Sequence, residues 1–336
     1  MRIAVAGLGG AATRGHLPAI SVVQRSGRAR LTAVAEPDRE RRAALLRLRP
    51  DVAGFDSVEE LLATIDCDVL VVATEPDRHA SLAALALERG VHVVCEKPVA
   101  PARDQLDLLD DAVARSPSRA PALVPVHQYR YSPAWASVSR WARLAARLRQ
   151  PFSIVVDVER IGSDSHAASA WRDDMPRTGG MLADAGVHFL ALAWTLDPRM
   201  VVLGGARIRD DRHEQSIGIV GVGSGLLVAR VRTGADARRT RVQVRAAGTL
   251  ACWSDDALTL GVPGWAPVRR RVPALSERAH VDALYVPFYV DLVRHLRDPG
   301  WCLRRTAEAL EVSRALTDLL AQTPVTTSRV PAVWAT

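Results

Sequence analysis

Short apolar runs alternate with amphipathic stretches over the first third of the chain. Arg2–Ala6 is an apolar run, and after it Leu17, Ile20, Val23 and Gln24 are spaced for one face of a helix reaching about Ser26. Leu31–Ala35 is a second apolar run, followed by helical spacing over Arg39–Arg49. Ser57–Thr64 opens a further helix with Ser57 and Glu60 in capping-box order. Asp68–Ala73 and Val91–Cys95 read as buried strands; between them Thr74–His79 reads as a loop and Ala80–Arg89 as a helix closed by Gly90. Pro101–Arg115 is helical and Ala122–Val126 is another strand. Strand and helix in such regular alternation predict a parallel, doubly wound sheet.

The pattern changes after Val126. Tyr131–Gln150 and Met181–Leu196 have helical spacing, with a strand at Phe152–Arg160 between them. Strands without intervening helices then follow at Val201–Ile208, Ser216–Val222, Leu226–Val231, Arg241–Ala246, Thr249–Cys252 and Val268–Val272, punctuated by glycine turns. Helices at Ala279–Leu296 and Thr306–Ala321 finish the pattern. The fold class is therefore α/β: a doubly wound parallel-sheet domain over residues 1–125, then an α+β domain with an open, mostly antiparallel sheet over residues 126–336. Several of the later strands carry more apolar residues than one covered face requires, so the uncovered face is expected to associate with further copies of the chain.

The first apolar run leads straight into Gly7-Leu8-Gly9-Gly10-Ala11-Ala12 and then a helix. Glycines let the backbone turn tightly and approach a pyrophosphate, while the helix amino terminus offers unpaired N–H groups to the anion. Gly7, Gly9, Gly10, Ala11 and Ala12 are thus candidate contacts to a dinucleotide. Glu36 ends the second strand, where a carboxylate accepts hydrogen bonds from ribose hydroxyls and repels a 2′-phosphate. NAD is the preferred cofactor on that ground, and the nearby Arg39 and Arg41 keep NADP possible. The glycine turn, Glu36, Thr74–His79 and Glu96–Pro98 all fall at predicted strand ends, so Thr74, His79, Glu96 and Lys97 join the cofactor candidates.

Lys97 is the only lysine; every other residue among the 44 Lys+Arg is arginine. Where a positive charge alone suffices this chain uses Arg, so Lys97 points to what arginine cannot do, losing a proton near neutral pH or fitting beside a reacting oxygen. Pro98 must turn the chain sharply after a buried strand, so the Lys97–Pro98 peptide is expected to be cis. Asp184 and His188 lie four apart within an otherwise apolar helix, a spacing that places both on one face. The pair reads either as a satisfied structural contact or as a carboxylate orienting an acid–base histidine.

Composition narrows the classes. Net charge is +7, but the arginines are interleaved with acids and aromatics are only 5%, which argues against nucleic acid. No apolar run approaches the ~20 residues of a membrane span, and the first residues are too short an apolar run for a signal peptide. Cys67, Cys95, Cys252 and Cys302 show no paired or metal-ligand spacing. The expectation is a cytoplasmic protein without a metal.

Glu96-Lys97-Pro98, the glycine turn, and the segment Gly179-Gly180-Met181-Leu182-Ala183-Asp184-Ala185-Gly186-Val187-His188 together resemble the glucose–fructose oxidoreductase / inositol dehydrogenase / rhizopine catabolism group, the Gfo/Idh/MocA family. The resemblance spans residues 1 to about 325. It implies a Rossmann domain holding NAD(P) and an α+β domain forming a homodimer or homotetramer through its sheet. It also implies reversible hydride transfer at a hydroxyl of a sugar, sugar derivative or cyclitol. Lys97, Asp184 and His188 would be catalytic. Gln128, Arg130, Trp171 and Arg172 would line the substrate together with those three. The chain departs from the family at Glu75, where a proline is usual, in one extra residue before His16, and at Ala191, where an acid is common. Reduction of a C=N or C=C bond, or a non-catalytic nucleotide-binding regulator, are the alternatives on the same fold.

Overall fold

The computed structural model describes residues 1–116, 121–161, 178–210, 213–236, 239–254, 257–271 and 281–327. The chain divides into two compact units: Met1–Tyr131 with Ser276–Leu310, and Ser132–Leu275 with Glu311–Thr336.

Unit one holds six parallel strands in the order β3-β2-β1-β4-β5-β6. They are β1 (Arg2–Ala6), β2 (Arg30–Ala35), β3 (Ala53–Phe55), β4 (Val69–Val72), β5 (His92–Cys95) and β6 (Leu123–Pro125). The connecting helices are α1 (Leu17–Arg25), α2 (Arg39–Leu48), α3 (Val58–Thr64), α4 (Pro76–Glu88) and α5 (Arg103–Arg115). All four residues of β4, Val69 to Val72, are buried, as a central parallel strand covered on both faces requires. Alternate residues of β1 enter two cores, Ile3 and Val5 one, Ala4 and Ala6 the other. Strand order reverses between β1 and β4, the switch point where ligands of such sheets bind.

Two expectations need correction here. The helix after β4 begins at Pro76, not Ala80, because proline fits the first helical turn, where its missing N–H costs nothing. His79 therefore lies on a helix. The division at residue 125 also misses a return: Ser276–Leu310 folds with unit one. Its helix α8 (Val286–His295), entered by a π turn at Val281–Tyr285, buries Tyr285, Phe288, Tyr289 and Leu292 in one core with Ile3, Val5, Ile20 and Val23. Periodicity shows that such a helix has an apolar face, but not which sheet the face meets.

Unit two carries nine strands in the order β14-β13-β12-β11-β7-β10-β9-β8-β15. They run β7 (Phe152–Ile161), β8 (Val201–Arg209), β9 (Glu214–Val222), β10 (Gly225–Ala235), β11 (Arg239–Ala246), β12 (Thr249–Ser254), β13 (Ala257–Gly261), β14 (Val268–Arg271) and β15 (Val325–Thr327). Pairing is antiparallel except for β7 with β10 and β8 with β15. Helices α6 (Pro133–Arg147) and α7 (Val187–Leu196) lie against one face. There Trp135 packs 5.7 Å from Phe189 and edge-on to Trp253. The final long helix is α9 (Pro299–Gln322). On the other face Val155, Ile219 and Val228 sit at paired positions, and Asp157 and Glu159 bind Arg230 and Arg232. The uncovered face is thus mixed, apolar beside an ion-pair ladder, rather than simply apolar.

Candidate active site

In unit one the glycine turn follows the carboxyl end of β1. Gly7 adopts φ 85°, and a Cβ there would lie 2.7 Å from the Ala73 carbonyl oxygen, so only glycine fits. Gly9 differs: a Cβ at this position would have no atom within 4 Å. The backbone here borders open space, as a turn that must admit a pyrophosphate requires. The helix beyond opens with a π turn over Ala12–His16. A π turn closes i→i+5 rather than i→i+4, which accommodates the extra residue before His16.

Glu36 is buried, 4% exposed. Its carboxylate accepts the Leu8 N–H at 2.7 Å and the Asp38 N–H at 3.0 Å, and Arg41 stands 3.6 Å away. Glu36 therefore ties the end of β2 to the glycine turn. A carboxylate has about four acceptor sites, so capacity for ribose hydroxyls is left.

Lys97 follows β5, and the Lys97–Pro98 peptide is cis, as expected. His79 clamps this loop: Nδ1 lies 2.8 Å from the Pro98 carbonyl oxygen and Nε2 3.1 Å from that of Thr74. Burial pushes the His79 imidazole down, against the pull of those two carbonyls. The ring thereby links the ends of the two loops, and in the neutral form one of its nitrogens donates to one of these carbonyls. Glu96 likewise turns inward. Its Oε1 accepts from the Tyr285 hydroxyl at 2.9 Å and lies 3.1 Å from His16 Nε2, while Oε2 accepts the Lys97 N–H at 3.1 Å. Burial pushes the Glu96 carboxyl up. The hydrogen bond and charge of His16, the Lys97 ammonium and the Tyr285 hydroxyl outweigh it and bring the group down to about 2. Both His79 and Glu96 hold the frame of the loop that carries Lys97.

The segment after β6 places Gln128 and Arg130 on a 3-10 turn, Gln128–Tyr131. Gln128 is buried and its Oε1 has no hydrogen-bond partner within the protein. Arg130 is committed to Glu308 at 2.6 Å, together with His127 at 2.9 Å and Arg305. Through this bond Arg130 anchors the turn. Glu308, Arg305, Tyr285 and Tyr289 went unnoticed in the sequence; each lies far along the chain from its partner, and no local pattern marks it. Trp171 and Arg172 lie outside the described residues.

In unit two, Asp184 falls within a π turn, Leu182–Gly186, and His188 at the start of α7. His188 is buried and Asp184 half-buried. Gly179 and Gly180 enter this helix at φ 74° and 68°. The Met181 N–H donates to both oxygens of Glu214, at 3.1 and 3.2 Å, and Ser216 donates to the same carboxylate at 2.9 Å. Burial pushes the Glu214 carboxyl up, and these donors oppose it. Arg207 bonds the Gly179, Leu320 and Thr323 carbonyls. The turn that delivers Asp184 and His188 is thus fixed from two strands.

Among the described residues no helix is long and apolar enough to cross a membrane, and no group of three or more His, Cys, Asp or Glu could hold a metal ion.

Residues 1–120 match the Gfo/Idh/MocA family, described as an oxidoreductase family with an NAD-binding Rossmann fold. Glucose-6-phosphate 3-dehydrogenase of Bacillus subtilis is 27% identical over 58% of this chain and 53% of its own length. Inositol 2-dehydrogenase of Corynebacterium glutamicum is 32% identical over 30% of this chain and 29% of its own length. The chain thus spans about half or less of these curated relatives. Among solved structures, a 3-ketoreductase from Actinomadura kijaniata in complex with NADP and TDP-benzene shares the fold with a TM-score of 0.78 at 16% identity, over 98% of this chain and 99% of that one. An oxidoreductase domain protein from Kribbella flavida does so with a TM-score of 0.76 at 18% identity, over 95% and 96%. The amino-terminal part of the chain, residues 1–120, thus matches the Gfo/Idh/MocA oxidoreductase family, and the curated relatives are named as sugar-phosphate and inositol dehydrogenases.

Proposed function

We propose that the protein transfers a hydride between a nicotinamide dinucleotide and a hydroxyl or keto carbon of a sugar, sugar derivative or cyclitol. The observation that carries this reading is Lys97, the sole lysine, held at the carboxyl end of β5, with only β4 between it and β1, the strand that bears the glycine turn. Bound nicotinamide supplies the hydride acceptor or donor. Gly7, Gly9, Gly10, Ala11 and Ala12 would receive its pyrophosphate, with Thr74 beside them. Lys97 would hydrogen-bond the reacting oxygen and stabilise negative charge developing there. His188 would take the hydroxyl proton, since imidazole titrates near operating pH, and Asp184 would orient it. Lys97 is the second group able to accept that proton. The names of the relatives, a sugar-phosphate dehydrogenase and an inositol dehydrogenase, support a polyhydroxylated substrate. Kinetics with a panel of polyols and sugar phosphates tests it.

NAD is the proposed preferred cofactor. The buried Glu36 carboxylate would meet a 2′-phosphate with like charge. Calorimetry should show NAD(H) binding more tightly than NADP(H). Glu36→Ala should narrow the preference and, by freeing the Leu8 N–H, weaken both. Tighter NADPH binding by the unaltered protein would contradict the assignment.

The uncovered face of the nine-stranded sheet is the proposed contact between copies of the chain, as a homodimer or homotetramer. Its apolar patch at Val155, Ile219 and Val228 supports burial, and its Asp157–Arg230 and Glu159–Arg232 pairs support a fixed register. Light scattering at micromolar concentration should report an oligomer; a monomer counts against it.

A further inference from the structure

The Glu96 carboxylate stands between Lys97 and a segment almost two hundred residues downstream. Tyr285, on the π turn Val281–Tyr285, donates to Glu96 Oε1 at 2.9 Å. His16 Nε2 reaches the same oxygen at 3.1 Å, and His16 Nδ1 lies 2.7 Å from the Tyr289 hydroxyl. An ionised carboxylate only accepts, so Nε2 carries the proton in this contact. The other oxygen, Oε2, accepts the backbone N–H of Lys97 itself. His16, Glu96, Tyr285 and Tyr289 are all buried, at 5% exposure or less.

The packing is as specific as the hydrogen bonds. The Tyr285 ring lies on Gly15, where a Cβ would stand 2.7 Å from its Cζ. The His16 ring meets Tyr285 and Tyr289 edge-on, at 5.1 and 5.8 Å. Besides Lys97, His16 and Tyr285, the titratable groups coupled to the Glu96 charge include His79, Cys95 and Tyr289.

We infer that Tyr285 is a positioning residue for Lys97, acting through Glu96: the carboxyl-terminal segment of unit one, with His16, holds the Glu96 carboxylate so that its Oε2 fixes the Lys97 backbone and its charge faces the Lys97 amine. The role rests on the proposed catalytic use of Lys97, but the geometry exists without substrate. In the network the two tyrosine hydroxyls and His16 disperse the charge of a buried anion, and Lys97 receives what remains. Removing the Tyr285 hydroxyl leaves that charge more concentrated, which stabilises the Lys97 ammonium. Removing the charge altogether does the opposite.

The single lysine makes this measurable. Amine-selective labelling of the full chain, read separately at Lys97 and at the Met1 amine, gives the labelling rate of Lys97 against pH with an internal reference. Tyr285→Phe keeps the ring on Gly15 and removes only the hydroxyl; labelling of Lys97 at a fixed pH below its midpoint should slow by roughly 3- to 10-fold. Glu96→Gln should quicken it by about 10-fold or more. The Met1 rate should not move. With an active substrate, Tyr285→Phe should lower kcat, and KM for NAD should hold. A Tyr285→Phe profile that superimposes on that of the unaltered protein, or shifts to faster labelling, overturns the inference, as does an unmoved Glu96→Gln profile. A merely structural role would lower the melting temperature and leave the Lys97 profile in place. Should Tyr285→Phe fail to fold, Tyr289→Phe applies the same test one bond further out, with slower labelling expected and an unmoved profile as the contrary result. The labelling arm needs no substrate, so failure of the dehydrogenase reading and failure of this one are separate outcomes.

Discussion

Replacing Lys97 by arginine is expected to lower turnover on the order of 10²-fold or more, the scale of losing acid–base help. The substitution keeps a positive charge, so electrostatic attraction for an anionic cofactor or substrate persists. It loses two other properties. The guanidinium is larger than an ammonium and is not deprotonated in proteins. The local frame leaves little room for adjustment, because the preceding carboxylate and the His79 clamp fix the backbone on both sides of residue 97. Affinity for NAD should largely survive, since the glycine turn and Glu36 are untouched. The check is kcat and KM for both substrates beside a binding isotherm for NAD. Normal turnover by Lys97→Arg would mean that charge alone suffices.

Gly9→Ala should separate folding from binding. A Cβ at position 9 has no atom within 4 Å and the residue is not in the left-handed region, so the unliganded fold should keep its melting temperature. The same methyl group would occupy the space in which a pyrophosphate approaches the backbone. Losing a charge-assisted backbone hydrogen bond there weakens binding by roughly 10- to 100-fold in Kd. Gly7→Ala is the contrast. It forces an alanine to φ 85° against the Ala73 carbonyl, and the protein itself should lose stability. Calorimetric NAD titration with thermal melts of both variants tests the pair. Unchanged NAD affinity in Gly9→Ala would remove the glycine turn from the cofactor site.

Much of unit one is legible in the chain because each signal is local. A strand, a glycine turn and a helix in sequence mark the switch-point loop, and Glu36 falls at the end of the neighbouring strand. Lys97 stands out by residue choice alone, in a chain that otherwise uses arginine. The elements that escaped are those whose cause is distant. Pro76 looks like a loop breaker until its place in the first helical turn is known. The π turns at Ala12–His16, Leu182–Gly186 and Val281–Tyr285 add a residue to a turn without changing the apolar pattern that announces a helix. The anchoring of Arg130 is hidden because its partner, Glu308, comes 178 residues later. The same distance hides Tyr285 from Glu96 and Ser276–Leu310 from the sheet it packs with. Buried polar groups find partners wherever the fold supplies them, and the fold is not written in the neighbourhood of either residue. The sheet face of unit two shows a milder version. Its strands count as apolar, but cross-strand register alone brings Asp157 to Arg230 and Glu159 to Arg232.

The central claim, that this chain oxidises a hydroxyl of a polyhydroxylated substrate with NAD through Lys97, is tested most directly by NADH formation. The unaltered protein and Lys97→Arg would be given NAD and a panel of sugars, sugar phosphates and cyclitols at equal concentration. NADH should appear with at least one member in the unaltered protein and fall by about 10²-fold or more in the variant. An unaltered protein that binds NAD yet forms no NADH with any member, or a variant as active as its parent, would contradict it.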